Sequence, residues 1–133
     1  MSAGLADTSV VIGLFRYVRE PDVLPDEVLV SAISMAEIVQ GPLFARTEAD
    51  RRSRERLVLD AQRAFPEPIP FDGACVASYR SVAARTVSAG RHPRRRTLDL
   101  LIAATAQAHS LPLYTANPAN VQHLADILEI VPV

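Results

Sequence analysis

A short apolar segment that runs into a carboxylate and then into an apolar helical pattern constrains this chain more than any other stretch. It is Leu5-Ala6-Asp7-Thr8-Ser9-Val10-Val11-Ile12, and it reads as strand, turn, helix. In an open parallel α/β sheet, ligands bind at the carboxyl ends of the strands. An acid at the end of a first strand therefore stands where chemistry occurs in such folds. Asp-Thr-Ser is also good N-cap chemistry, because these side chains satisfy the free N–H groups at a helix start. On this stretch alone, capping is the stronger reading.

The same alternation continues to the C-terminus. Residues 4–7 form a first strand and residues 8–20 a helix, with Val11, Leu14, Phe15 and Val18 at three- and four-residue spacing. Pro21 and Pro25 bracket a turn before a second strand, Glu27-Val28-Leu29-Val30-Ser31. Ser34-Met35-Ala36-Glu37 then matches a capping box, in which Glu37 returns to the backbone N–H of Ser34; the competing role for Glu37 is in a site shared with Asp7. Residues 49–64 are rich in acids and arginines at helical pairing distance, with Leu57, Val58 and Ala61 on a docking side. Three prolines follow, with Ile69 and Phe71 as a short edge strand. Asp72 caps a helix that continues to about Ser88 and ends at Gly90. Thr97 to Ala106 is an almost wholly apolar helix, Pro112 to Thr115 a strand, residues 120–126 a helical turn and Glu129 to Val131 a last strand. Strands alternating with helices over this length predict an α/β fold: one domain over residues 1–133, with a short, mostly parallel sheet flanked by helices on both faces.

Composition excludes several classes. The net charge is −1, which gives no case for nucleic-acid binding through bulk charge. All 14 basic residues are arginine, the cation that makes planar contacts to phosphate or carboxylate. The single cysteine, Cys75, permits no internal disulfide and fits a reducing cytoplasm. No apolar run reaches membrane-spanning length, no secretory signal pattern opens the chain, and no His/Cys group has zinc spacing.

The set of acids says more than any member. Asp7 ends strand one, Glu37 lies early in the helix after strand two, and Asp99 opens the apolar helix before Leu113. Asp99 could simply complement the helix dipole, but its neighbours are all leucine and isoleucine. A carboxylate buried there needs a cation partner. In a right-handed βαβ arrangement the three positions can converge at one end of the sheet. Converging carboxylates repel unless they are protonated or hold a cation, and an oxygen-only set suits Mg²⁺ or Mn²⁺. Beside Asp99 lies a dense basic loop, Arg91-His92-Pro93-Arg94-Arg95-Arg96, which offers guanidinium groups to phosphate. His92 is the histidine best placed to approach a substrate, although a solvated loop histidine is the commoner case.

Over essentially its whole length the chain resembles the PIN domain, and within it the VapC-type toxins of bacterial toxin–antitoxin pairs. The resemblance rests on Asp7-Thr8-Ser9, on Ser34-Met35-Ala36-Glu37 with Gly41 four residues later, on Asp99 through Ala106, and on Leu113-Tyr114-Thr115-Ala116-Asn117-Pro118. It implies that Asp7, Glu37 and Asp99 bind Mg²⁺ or Mn²⁺ and support hydrolysis of an RNA phosphodiester, with Thr8 assisting at the first acid through its hydroxyl or backbone. It also implies a small antitoxin partner whose Arg lies in the acidic groove, and a homodimer. One departure stands out. Many members carry a fourth acid just after the fourth strand, where this chain has Asn117 and Asn120. The amides weaken the case for a second metal and favour, as the alternative, a catalytically weak RNA- or antitoxin-binding protein. A phosphatase using Asp7 as nucleophile is disfavoured, because a haloacid-dehalogenase-like enzyme would want a second Asp where Ser9 stands.

Overall fold

The computed structural model describes residues 2–16 and 23–133. Four strands form one sheet: β1 (Ala3–Ala6), β2 (Glu27–Val30), β3 (Leu113–Thr115) and β4 (Ile130–Pro132), in the order β2-β1-β3-β4. Every pairing is parallel. The expected mostly parallel sheet is thus parallel throughout. The helices are α1 (Thr8–Arg16), α2 (Ala32–Gln40), α3 (Glu48–Ala64), α4 (Gly73–Ser88) and α5 (Thr97–Ala108). The part of the expected first helix beyond Arg16 lies outside the described residues. Single 3₁₀ turns stand at Gly41–Phe44 and Pro93–Arg96, and two more replace the helical turn expected over 120–126.

Both faces of the sheet are covered, as the side-chain alternation of a central strand requires. Leu5 packs into a cluster with Val82 of α4 and Leu100 and Ile102 of α5. Its neighbour Ala6 packs on the opposite face with Val10, Val11, Met35, Ile38, Leu57 and Ala61 of α1 to α3. Leu57 and Ala61 are thus the docking side of α3, while its charges pair along the solvent face. Ile69 makes a single parallel bridge to Ser31 at the sheet edge, the remnant of the expected edge strand.

Two glycines fix the local geometry. Gly90, at φ +76°, ends α4, and the N–H of Arg91 donates to the Thr86 carbonyl at 3.1 Å. This left-handed closure suits glycine and sets the start of the basic loop. Gly4 sits in β1 under the ring of Tyr114, with Pro25 Cγ 3.2 Å from where a Cβ would stand. Gly4→Ala therefore forces the sheet apart or the ring aside and destabilises by about 1–3 kcal/mol. Urea denaturation checks this, and an unchanged midpoint would show that Tyr114 moves freely.

Candidate active site

Asp7 follows β1 directly. Its Oδ1 accepts from the Val10 N–H at 3.1 Å and from the Ser9 hydroxyl at 2.5 Å. The capping reading is therefore correct for one carboxylate oxygen. Both bonds fall on Oδ1, so capping and a role at the strand end are compatible. Ser9 Oγ in turn accepts from the Ala116 N–H at 3.1 Å. One hydroxyl thus ties the first acid to the turn after β3, which carries Asn117 and Asn120.

Glu37 is not part of a capping box. The N-cap of α2 is Ser31, whose side chain accepts from the Ser34 N–H at 3.0 Å. The helix starts three residues earlier than Ser34, so Glu37 is on its second turn and cannot serve its start. Instead Glu37 Oε1 accepts from the Thr8 hydroxyl at 2.6 Å, and Thr8 Oγ1 lies 3.1 Å from Ser34 Oγ. A hydroxyl has one proton, and the carboxylate is the stronger acceptor. The Thr8 hydroxyl therefore serves Glu37 rather than the adjacent Asp7.

Asp99 stands in the first turn of α5. Burial, then the charge of Asp7, push its carboxyl above the usual range. Arg96 pulls the other way, and among the described residues no hydrogen bond stabilises its charged form. Glu37 is also raised, chiefly by burial, against the lowering bond from Thr8; Asp99 and Asp7 raise it further. Glu37 thus feels the charge of both other acids, and Asp99 that of Asp7. They line a single cavity of about 250 Å³ together with Thr8, Ser9, Arg96, Asn117 and Asn120. Asp7 and the turn after β3 lie at the carboxyl ends of the two central strands, where parallel sheets bind ligands.

The walls offer carboxylate, amide and hydroxyl oxygens, the chemistry that hard divalent cations take. Among the described residues, no three of His, Cys, Asp and Glu stand close enough together to enclose one ion.

Known proteins share this sequence pattern and this fold. The sequence profile of the PIN domain matches residues 5–126. The chain belongs to the PIN-domain family. Ribonuclease VapC5 of Mycobacterium tuberculosis is 33% identical over 116 residues, spanning 86% of this chain and 82% of that protein. The crystal structure of VapBC-5 from Mycobacterium tuberculosis, a member of the VapBC family of toxin–antitoxin systems, superposes with a TM-score of 0.81 at 27% identity, over the full length of both chains. FitAcB of Neisseria gonorrhoeae gives 0.73 at 27% identity, over 95% of this chain and 94% of that one.

Sequence reasoning about this PIN domain missed the partners of its acids. Ser9 is visible in the motif, but its bond to Ala116 crosses 107 residues, and no local pattern reports it. Ser9→Ala leaves that N–H without its acceptor and frees the Asp7 carboxyl. Stability is expected to fall by about 1 kcal/mol. Chemical denaturation checks this, and an unaltered midpoint would mean that water replaces the hydroxyl.

Proposed function

We propose that this PIN domain is a metal-dependent endoribonuclease and the toxin of a toxin–antitoxin pair. The observation that carries the reading is the meeting of Asp7, Glu37 and Asp99, from three separate elements, on one cavity at the strand ends. The kinship to Ribonuclease VapC5 supports the choice of RNA. Asp7, Glu37 and Asp99 would hold the cation in part through its waters, as would Asn117 and Asn120. Mg²⁺ or Mn²⁺ is the ion that an oxygen donor set prefers. When bound, such an ion polarises a phosphodiester and makes hydroxide accessible near neutral pH. The chain's own residues do the positioning. Ser9 and the Val10 N–H orient Asp7, Thr8 orients Glu37, and Arg96 brings a positive charge to the rim for an incoming phosphate.

An antitoxin partner and a homodimer belong to the same reading, since structural neighbours were solved as VapBC and FitAB assemblies. The exposed pair Leu43 and Phe44, 83% and 66% accessible, offers apolar surface of the kind that partners cover. No described helix is long and apolar enough to cross a membrane, and Cys75 is a buried free thiol. We place the protein in the cytoplasm, with its RNA.

Incubation of antitoxin-free protein with total cellular RNA, with Mn²⁺, with Mg²⁺ or with chelator, tests the reading. Discrete fragments in the metal lanes alone are expected. Folded protein that binds RNA or its antitoxin but cleaves in no lane would favour the second reading, a weak or binding-only PIN domain. The two amides on the cavity wall where an acid would add charge motivate that alternative.

A further inference from the structure

A second cavity, of about 390 Å³, adjoins the acidic one, and the two share Arg96 and Asn120. Its chemistry is the reverse. Arg91, His92, Arg95 and Arg96 line it, and no carboxylate does. Most of the arginines on α3 are neutralised within their own helix: Arg51, Arg52, Arg54 and Arg56 each pair with an acid three or four residues away. Among the described residues, Arg91, Arg95 and Arg96 form no ion pair. Arg91 is held in place by donating to the Ala119 carbonyl at 3.1 Å, while Arg95 is exposed.

Thr86 and His123 also line this cavity and are fastened to each other. Thr86 Oγ1 is 2.9 Å from both the Val82 carbonyl and His123 Nε2. Both contacts are satisfied only if Thr86 donates to Val82 and His123 donates from Nε2–H. His123 Nδ1 is then an acceptor, and it is buried with no partner among the described residues. Buried polar atoms are nearly always paired. A cavity lined by three guanidinium groups and no carboxylate suits an anionic ligand.

We propose that this cavity seats a nucleotide of the RNA strand adjacent to the cleaved bond, with Arg91 and Arg95 gripping its phosphodiester and Arg96 bridging to the phosphate over the acidic pocket. The choice of RNA as the polyanion rests on the nuclease reading. The strand then runs from an attractive cavity into one whose own carboxylates would repel it without a cation. The basic cavity supplies affinity, and the acidic one supplies the site of attack.

The test is binding of a fluorescent 20-nucleotide polyuridine RNA by full-length protein carrying Asp99→Asn, followed by anisotropy from about 50 to 200 mM salt. Adding Arg95→Gln is expected to weaken binding several-fold at the lowest salt. It should also reduce the slope of log affinity against log salt by about 0.7, the value for one lost phosphate contact on a single strand. Arg95→Lys should restore the slope. Arg52→Gln, the same charge change at a residue lining neither cavity, should leave it unaltered. An unchanged slope in Arg95→Gln with an unchanged melting temperature overturns the proposal, as does an equal loss in Arg52→Gln, which would show bulk charge alone. Retained RNA binding with lost capture of the antitoxin in Arg95→Gln assigns the cavity to the protein partner and also overturns it. Binding is read without turnover, so failure of the nuclease reading appears separately, as absence of metal-dependent cleavage by the chain with Asp99 intact.

Discussion

Under the proposed function, Asp99→Asn is expected to lower metal-dependent RNA cleavage by at least about two orders of magnitude and to leave the fold intact. The substitution keeps the shape of the side chain and removes one charge from the cavity wall. Asp99 would help to hold the cation that stabilises the anionic transition state, and loss of one such electrostatic contribution costs on the order of 10²–10³-fold in rate. The loss should therefore reach at least that range. The variant should melt no lower than the parent, because the Asp99 carboxylate is half-buried beside Asp7 and has no hydrogen bond to its charged form among the described residues. Cleavage of total RNA in Mn²⁺, beside a thermal melt in chelator, measures both. Cleavage within a few-fold of the parent would remove Asp99 from the site. A collapsed melting temperature would make it a structural residue.

Glu37 and Asp99 are expected to cost the metal-free protein stability as pH rises above about 4, and a divalent cation held by them to return it. The sign follows from Asp99 and Glu37. Both titrate higher in the folded protein than their ordinary values of 3.8 and 4.5. Below those values they are neutral in both states, and the fold bears no penalty. As pH rises through the elevated values, the unfolded chain releases protons that the folded chain still holds, so stability falls. Glu48 and Asp72 are held below their ordinary values and work in the opposite sense at lower pH. The informative quantity is therefore the difference between wild type and Glu37→Gln/Asp99→Asn. In chelator, that difference should turn against the wild type as pH rises above the ordinary carboxylate values. With cation at a hundredfold its Kd the wild type should gain about 2.7 kcal/mol, a rise of several degrees in Tm, and the double variant little. A pH-independent difference, or equal gains from cation, would show that the two carboxyls neither strain the apo fold nor hold the ion.

Much of this is legible in the chain itself. The alternation of short β-rich segments with helical periodicity predicts the α/β class. The run of Leu, Ile and Ala around Asp99 predicts a buried helix with an unpaired acid, and the comparisons agree with the PIN-domain resemblance. The capping box misleads because Ser-x-x-Glu is local chemistry, and a better local cap, Ser31, lies three residues upstream. Asp7 reads as cap or site, and the structure lets one oxygen cap the helix without excluding the other role.

The sequence by itself determined the order of elements, the carboxyl-end position of Asp7 and the presence of an acid in each of three places. Periodicity and capping act over a few residues, so those features are written locally. Only the tertiary structure decided that Thr8 serves Glu37, that Ser9 fastens Asp7 to Ala116, and that Arg96 stands between an acidic and a basic cavity. Those bonds join residues far apart in the chain: β1 pairing with β2 brings Thr8 near Glu37, and β1 pairing with β3 brings Ser9 near Ala116.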